Sequence, residues 1–177
     1  DRGEILALVG ESGSGKTVSS LSLTRLLPRN AEVEGEVLLD GRDILKASNS
    51  ALREVRRNRV AYVFQDPISS LNPARRVGSQ LVELLRVNRG MRSNEARNRA
   101  RELLSHVGIP GESRYMRAYP HELSGGMCQR VMIAMALATE PEIIVADEAT
   151  SALDVSIQAQ ILELLQRLRD QFDTAMV

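Results

Sequence analysis

A glycine-rich segment near the amino end constrains the fold of this chain more than any other feature. Residues 10–17 are Gly-Glu-Ser-Gly-Ser-Gly-Lys-Thr, which is the spacing G-x-x-x-x-G-K-[ST] of a phosphate-binding loop. An apolar run at residues 4–9 comes before it, as a buried parallel strand would. A helical pattern follows it and stops near Pro28. A strand, a glycine turn and a helix in this order predict an α/β fold that holds a phosphate group at the start of the helix.

The residue types in this segment, here called the phosphate loop, fit that chemistry. Glycines let the backbone turn tightly, so that successive N–H groups point at phosphate oxygens. We expect Lys16 to reach the β- and γ-phosphates of ATP and the Thr17 hydroxyl to ligate Mg²⁺. The residues expected to contact the nucleotide are Gly10, Glu11, Ser12, Gly13, Ser14, Gly15, Lys16, Thr17 and Val18. The alternative is a Gly/Ser loop with an incidental lysine, and the strand before and the helix after the loop argue against it.

A second acidic site follows another apolar run, at residues 142–147. We expect Asp147 to hold the Mg²⁺ shell, as an acidic residue at the end of a neighbouring strand does in other phosphate-loop proteins. Glu148 lies on the opposite side of the strand, or leaves it as the strand ends. In either case it is the candidate base that orients or deprotonates the attacking water. Many buried strands end in Asp or Glu, so the pair gains its meaning from the phosphate loop.

The remaining pattern predicts strands that flank a helical middle. Predicted strands cover 33–39, 60–64 and 174–177, a turn lies at Asp40-Gly41, and predicted helices cover 51–58, 80–107, Ser124 to about Thr139, and a stretch marked by Ile157, Ile161, Leu164, Leu165 and Leu168. We therefore expect an ATPase core made of residues 1–65 and 141–177, with a helical subdomain at residues 66–140.

Composition excludes several classes of protein. The 23 basic and 23 acidic side chains balance, and aromatic residues make up 3% of the chain, which argues against nucleic-acid binding. The single cysteine, Cys128, permits no internal disulfide and suggests a reducing compartment. No apolar stretch approaches the roughly 20 residues of a membrane span, and we expect no signal peptide. Two arginine clusters, at residues 53–59 and 97–101, are expected to be solvated helix faces.

A further segment of the sequence points to a known protein family. Residues 123–130 are Leu-Ser-Gly-Gly-Met-Cys-Gln-Arg, in which Ser124 is a good helix N-cap and the two glycines leave backbone N–H groups open to an anion. This segment resembles the LSGGQ-type signature of ABC ATPases. The resemblance implies a P-loop NTPase (RecA-like) core with a small β part and an inserted α-helical subdomain. It also implies that two such domains pair head to tail, so that Ser124, Gly125 and Gly126 cap the γ-phosphate held by the partner domain.

Other segments match the same family in its order. Residues 64–67 (Phe-Gln-Asp-Pro) look like the Q-loop, and the resemblance implies that Gln65 touches Mg²⁺ or water and senses the permease. Residues 151–154 (Ser-Ala-Leu-Asp) look like the D-loop, which places Asp154 at the interface between the two domains. The implied catalytic residues are Lys16, Gln65 and Glu148, and the implied Mg²⁺ ligands are Thr17, Gln65 and Asp147.

Further segments resemble one group of transporters within this family. Residues 64–67 with 70–73, residues 119–122 and residues 154–160 resemble the ATPases of dipeptide and oligopeptide importers. This implies a peripheral subunit at the cytoplasmic face of the cell membrane, which works with permease subunits and an extracytoplasmic substrate-binding protein and binds no nucleic acid. Importers of nickel or glutathione share the pattern, so the cargo stays open. A non-transport ABC ATPase is the other alternative, although the 124 − 65 = 59 positions from Gln65 to Ser124 leave no room for the long coiled coils of the DNA-repair members.

The chain also departs from the family pattern. The aromatic residue that stacks on adenine and the switch histidine are both missing, so we expect a piece of a longer protein that is weakly active or inactive as an ATPase by itself. His106 and His121 are expected to be surface or packing residues. Ala149 replaces the usual Pro after the Asp-Glu pair, and Cys128 replaces the usual Arg or Gln of the signature. We expect Ala149 to loosen the turn after the Asp-Glu pair mildly, and we expect Cys128 to have a packing role.

Overall fold

The computed structural model describes residues 2–28, 30–147 and 155–177, with the backbone alone for Val155 and Ser156. Its central element is a parallel sheet of three strands in the order β3 (Val60–Val63), β4 (Ile143–Ala146), β5 (Ala175–Met176). Val60 pairs with Ile143 and Val63 with Ala146, and Ile143 in turn pairs with Ala175. A separate antiparallel pair joins β1 (Leu38–Leu39) to β2 (Arg42–Asp43).

Along the chain, helices lie before and between the strands of this sheet. They are α1 (Lys16–Ser22), α2 (Asn49–Asn58), α3 (Pro67–Ser70), α4 (Val77–Arg89), α5 (Ser93–His106), α6 (Glu112–Tyr115), α7 (Gly125–Leu137) and α8 (Val155–Phe172), with a 3-10 turn at Pro120–Glu122. Five of them, α3 to α7, lie in the chain between β3 and β4, although these two strands are neighbours in the sheet. The predicted α/β architecture with an inserted helical stretch is confirmed. Among the described helices, none has the length and apolar content needed to cross a membrane.

The helical stretch has a dense apolar core. Leu81 and Leu85 of α4, Leu103 and Leu104 of α5, and Ile133 of α7 are all buried. Each such side chain contributes about 1.5–3 kcal/mol through its removal from water. The pattern at 80–107 is helical throughout, and the structure divides it into α4 and α5 after Gly90, the C-cap of α4, whose φ of 67° favours glycine. The apolar spacing is helical on both sides of this break, so periodicity alone does not reveal it.

The segment at residues 4–9 is less regular than predicted. It forms one parallel bridge, from Ile5 to Met176, supported by a hydrogen bond of 2.8 Å from the Leu6 N–H to the Met176 carbonyl. Val9 is 95% exposed, so the prediction of a buried strand is wrong in extent and in burial. In the described part of the chain, nothing covers the outer side chains of this segment.

The predicted strand at 33–39 is also shorter in the structure than in the prediction. Only Leu38 and Leu39 pair regularly with β2, and the Ile44 N–H donates to the Val37 carbonyl at 2.8 Å. The predicted turn at Asp40-Gly41 is confirmed, with φ angles of 51° and 72°, which match the two left-handed positions of a type I′ hairpin turn. The two-residue pair lies at the surface and gains little from burial, which explains why it stays short.

Candidate functional site

The phosphate loop adopts the tight turn that its glycines allow. Gly13 and Gly15 have φ angles of 81° and 91°, a region that disfavours any side chain. Gly10 is constrained differently, because a Cβ there would lie 2.6 Å from the Ser14 hydroxyl oxygen. The Ser14 N–H donates to the Glu11 carbonyl at 3.2 Å and closes the turn. Gly15 is the N-cap of α1 and offers no side chain, so the loop presents backbone to the space above it.

Lys16 folds back over this loop. Its ammonium donates to the Gly10 carbonyl at 2.8 Å and to the Glu11 carbonyl at 3.1 Å. These contacts hold a positive charge across the mouth of the turn. The ammonium is therefore placed to exchange carbonyl oxygens for phosphate oxygens without a large movement of its side chain.

The contact between Thr17 and Asp147 joins two parts of the chain that lie 130 positions apart. The Thr17 hydroxyl, in the first turn of α1, donates to Asp147 Oδ1 at 3.0 Å. Asp147 directly follows β4, and its own N–H donates to the Val63 carbonyl of β3 at 3.0 Å. The sheet therefore holds the carboxylate against the start of the helix. The structure thus places the two predicted Mg²⁺ ligands, Thr17 and Asp147, in contact, and their role as metal ligands stays a prediction.

Gln65 lies at the same edge of the sheet. It follows β3 by two positions, and β3 and β4 are parallel and in register from Val60 and Ile143 to Val63 and Ala146. The carboxyl ends of parallel strands meet at one edge, so Gln65 and Asp147 share that edge. Gln65 is exposed. Next to it, Asp66 caps α3 by accepting from the Ile68 and Ser69 N–H groups at 3.0 and 3.3 Å, and the bonds from Ser69 lower the pKa of Asp66.

A buried network that the sequence does not reveal holds α1 against the sheet. The Tyr62 hydroxyl of β3 donates to the Ser20 carbonyl at 2.8 Å and lies 2.9 Å from the Thr24 hydroxyl. Arg56 of α2 donates to the Thr24 carbonyl through two nitrogens, at 2.8 and 2.6 Å. Burial raises the pKa of Tyr62. The partners of Tyr62 are about 40 positions away, at sequence separations of 42 and 38, so no local signal predicts these contacts.

The signature segment forms a helix start, as predicted. Ser124 is the N-cap of α7, and its hydroxyl accepts from the Met127 N–H at 3.3 Å. Gly126 is buried, and a Cβ there would approach the Ile157 side chain of α8 to 3.0 Å. With the described residues, Ser124 bonds only inside α7. The structure therefore does not join Ser124 and Gly125 to the phosphate loop of the same chain.

Cys128 has the predicted packing role. His106 and His121, predicted as surface or packing residues, lie against aromatic rings. Cys128 is fully buried, its thiol contacts the Pro120 carbonyl at 3.5 Å, and burial raises its pKa. His106 lies edge-on to Phe172, with ring centroids 5.5 Å apart, and His121 stacks on Tyr119. Two expected site residues, Glu148 and Asp154, lie outside the described residues, as does Ala149.

The described residues fit a magnesium-bound nucleotide. Mg²⁺ prefers hard oxygen ligands and usually takes one or two from the protein, with water and phosphate supplying the rest. The Thr17 hydroxyl and the Asp147 carboxylate, 3.0 Å apart, form such a pair beside a lysine and a turn of open backbone. A cavity of about 320 Å³ lies next to them, and both Lys16 and Asp147 line it. Most of its lining is apolar and comes from residues 5–8 and from α8, so it is a gap beneath the phosphate loop rather than a polar phosphate site.

Comparison with known proteins agrees with this geometry. The family model described as "ABC transporter" matches residues 1–151. The oligopeptide transport ATP-binding protein OppD of Bacillus subtilis is 47% identical over 179 residues, which cover 100% of this chain and 50% of that protein. The peptidoglycan transport ATP-binding protein YejF of Agrobacterium fabrum is 50% identical over 177 residues, which cover 99% of this chain and 32% of that protein. The chain thus spans about half the length, or less, of these curated relatives.

Solved structures show the same fold. The ATP-binding cassette MJ0796, in a dimeric post-hydrolysis state bound to ADP and Pi, superposes with a TM-score of 0.83 at 33% identity, over 100% of this chain and 74% of that one. The cbiO1 protein of Clostridium perfringens, part of the ABC transporter complex cbiONQ, gives a TM-score of 0.81 at 29% identity, over 99% of this chain and 66% of that one.

Proposed function

The chain belongs to the ABC transporter family, and from this membership and the site geometry we propose that it is the ATP-binding and ATP-hydrolysing part of a transporter that imports dipeptides or oligopeptides. The observation that carries the proposal is the hydrogen bond of 3.0 Å from Thr17 to Asp147. It brings the end of the phosphate loop to the acidic end of β4, where a nucleotide and its metal ion both need oxygen ligands and positive charge.

The peptide cargo is supported by relatives. OppD of Bacillus subtilis is named for oligopeptide transport and YejF of Agrobacterium fabrum for peptidoglycan transport. Both names describe cargo built from, or containing, short peptides. The match with each relative covers nearly the whole of this chain.

Each site residue has a role in the proposed reaction, the transfer of a phosphoryl group from ATP to water. Backbone N–H groups of residues 10–17 bind the phosphates, and Lys16 neutralises the β- and γ-phosphate oxygens. Thr17, Asp147 and Gln65 would hold Mg²⁺, which supplies positive charge to the phosphate oxygens when bound. Glu148 orients the attacking water and accepts its proton. Positioning and charge neutralisation provide most of the catalysis in such sites.

The proposed partners follow from the same family. A second ATPase domain would pair head to tail, so that Ser124, Gly125 and Gly126 of one domain cap the γ-phosphate in the other and Asp154 lies between them. The neighbour MJ0796 was solved as a dimer, which supports such pairing. We further propose that the protein acts at the cytoplasmic face of the membrane with permease subunits, which receive cargo from an extracytoplasmic binding protein. Residues 1–65 and 141–177 would then form the ATPase core, and residues 66–140 the helical subdomain that meets the permease.

The Glu148→Gln variant of the full-length protein tests the proposed reaction. It keeps the size of the side chain and removes the base, so we expect ATP binding to persist while turnover falls by about 100-fold or more, the effect typical of losing a general base. Phosphate release under multiple-turnover conditions measures this, and equilibrium binding of ATP is measured on the same sample.

A matched control removes an exposed carboxylate elsewhere. Glu36 is exposed, and Glu36→Gln makes the same chemical change outside the site, so its turnover should equal that of the wild type. Most of the wild-type turnover in Glu148→Gln would contradict the assignment of Glu148 as the base.

A further inference from the structure

A second concave site lies in the helical part of the chain. A cavity of about 340 Å³ opens where the start of α4, the middle of α5 and residues 113–117 meet. Its polar lining consists of Arg76, Arg97, Arg101, Arg117, Ser79 and Ser113. These residues are here called the arginine pocket.

The backbone holds the walls of this pocket together. The Val77 N–H donates to the Ala118 carbonyl at 2.9 Å, and the Gly78 N–H donates to the Met116 carbonyl at 3.2 Å. Gly78 packs so closely that a Cβ there would lie 2.4 Å from the Met116 carbonyl oxygen. The start of α4 and the segment that carries Arg117 are therefore fixed against each other. Arg97 and Arg101 lie one turn apart on α5 and so face the pocket from the same side.

The carboxylates that the structure describes do not pair with the arginines of the pocket. Among the residues that the structure describes, none of its four guanidinium groups has a carboxylate within 4.0 Å. Arg101 donates to the Asn98 side-chain oxygen at 3.3 Å, and the guanidinium of Arg76 lies 5.7 Å from the centre of the Tyr119 ring. The amino end of α4 adds the positive end of a helix dipole.

Neighbouring arginines on the same elements behave differently. Arg99 lies between Arg97 and Arg101 in the sequence, and it pairs with Glu102 at 3.1 Å and with Glu140. Arg75 precedes Arg76 and pairs with Glu83. These two arginines are therefore paired with carboxylates, whereas the four arginines of the pocket are not, among the residues that the structure describes. The four guanidinium groups of the pocket converge on one concave place, where their positive fields add.

We propose that the arginine pocket binds an acidic segment of the membrane-embedded partner subunit. The inference rests on the proposed function, because that function supplies a membrane partner which must contact the ATPase. A carboxylate accepts two parallel N–H bonds from one guanidinium group. Four such groups from three elements match a segment that carries several carboxylates, and the two serine hydroxyls add neutral donors.

The size and composition of the pocket favour a peptide over a single phosphate. The cavity of about 340 Å³ is larger than one phosphate group fills. The phosphate loop binds its anion differently, with backbone N–H groups and one lysine, whereas the pocket presents planar guanidinium groups at its rim. All four arginines are exposed, so a segment reaches them without opening of the helical core.

Binding of a defined peptide to the full-length protein tests this inference. The probe is a fluorescein-labelled peptide with four glutamates, and its counterpart carries four glutamines. We expect the wild type to bind the glutamate peptide and not the glutamine peptide, as fluorescence anisotropy at low salt would show. The triple variant Arg97→Gln, Arg101→Gln, Arg117→Gln should weaken this binding about tenfold, the combined effect of three exposed ion pairs.

A matched control removes three other positive charges. Arg42, Arg53 and Arg86 are exposed and line none of the cavities described above, so changing all three to glutamine alters the net charge equally. The control should bind the glutamate peptide within about twofold of the wild type. In a second measurement, each variant is co-expressed with its membrane subunits. The pocket variant should be retained less by the tagged membrane subunits than the control.

Three results would overturn the inference. The first is equal binding of the glutamate and glutamine peptides by the wild type. The second is equal weakening in the pocket and control variants, which indicates a net-charge effect. The third is preferential binding of phosphatidylglycerol vesicles over the glutamate peptide, lost in the pocket variant, which assigns the pocket to a lipid headgroup. MgATP binding is measured on the same samples, and its absence in the wild type would reject the proposed function instead.

Discussion

The helical stretch and the phosphate-loop region of this chain are stabilised in different ways. In the helical stretch, α4, α5 and α7 lie within about sixty residues of one another and bury large aliphatic side chains, such as Leu103 and Ile133, completely. In the phosphate-loop region, residues 5–9 stay largely exposed, and α1 is held by bonds to partners far along the chain, such as Tyr62 and Asp147. The helical stretch buries large side chains from neighbouring helices, in a core that continues into the sheet and α8, whereas the geometry of the phosphate loop depends on bonds to distant strands.

This difference suits the two proposed roles. A phosphate-binding loop must keep its backbone N–H groups open to a ligand, and its glycines offer no side chains to bury. A subdomain that transmits movement to a membrane partner gains from a closely packed core, because such a core has low compressibility and transmits strain. The comparison makes specific predictions about where substitutions cost most.

The largest expected effect is in the helical core. Leu103 is fully buried, so Leu103→Ala should lower the free energy of unfolding by about 2–5 kcal/mol through lost burial and the cavity left behind. Leu6 is 54% exposed, and Leu6→Ala should cost less than about 1 kcal/mol. Urea denaturation followed by circular dichroism measures both. Equal losses would show that the two regions do not differ in packing.

The next largest loss of stability is expected where the backbone at Gly78 lies close to the backbone at Met116. Gly78→Ala places a Cβ 2.4 Å from the Met116 carbonyl oxygen, which requires α4 or residues 115–118 to move and should cost about 1–3 kcal/mol. Gly90→Ala is the comparison, because that position has open space and only its φ of 67° disfavours a side chain, at about 1 kcal/mol. The same denaturation experiment ranks them. A larger loss for Gly90→Ala would show that the contact at Met116 relaxes freely.

The smallest expected effect is that of a substitution at Tyr62, which tests how α1 is held against the sheet. Tyr62→Phe removes the bond to the Ser20 carbonyl and the contact with Thr24, and should cost about 0.5–1.5 kcal/mol. Because burial raises the pKa of Tyr62, the folded state retains the phenol proton at a pH where the unfolded chain loses it. Wild-type stability should therefore fall as the pH rises above about 10. The Tyr62→Phe variant has no phenol proton to lose, so an alkaline loss of stability equal to that of the wild type would contradict this account of Tyr62.

Sequence predicts most of the site and much of the fold because both depend on local patterns. The glycines of the phosphate loop, the N-cap Ser124 and the apolar strand before Asp147 each carry a signal within a few residues. The network of Tyr62, Ser20 and Arg56 and the convergence of Arg76 and Arg117 on α5 depend on tertiary packing, so no short segment reveals them. The exposure of residues 4–9 escapes prediction for a related reason: an apolar run predicts a strand but does not say which other elements cover it.

The most direct test of the central claim, that residues 10–17 and Asp147 together bind a magnesium-bound nucleotide, is titration calorimetry of MgATP into the full-length protein. The account predicts a clear heat of binding to one site per chain in the wild type. Lys16→Ala should weaken the affinity at least tenfold, because a charge-assisted contact to the phosphates is lost. No measurable heat in the wild type, or the same affinity in Lys16→Ala, would contradict it.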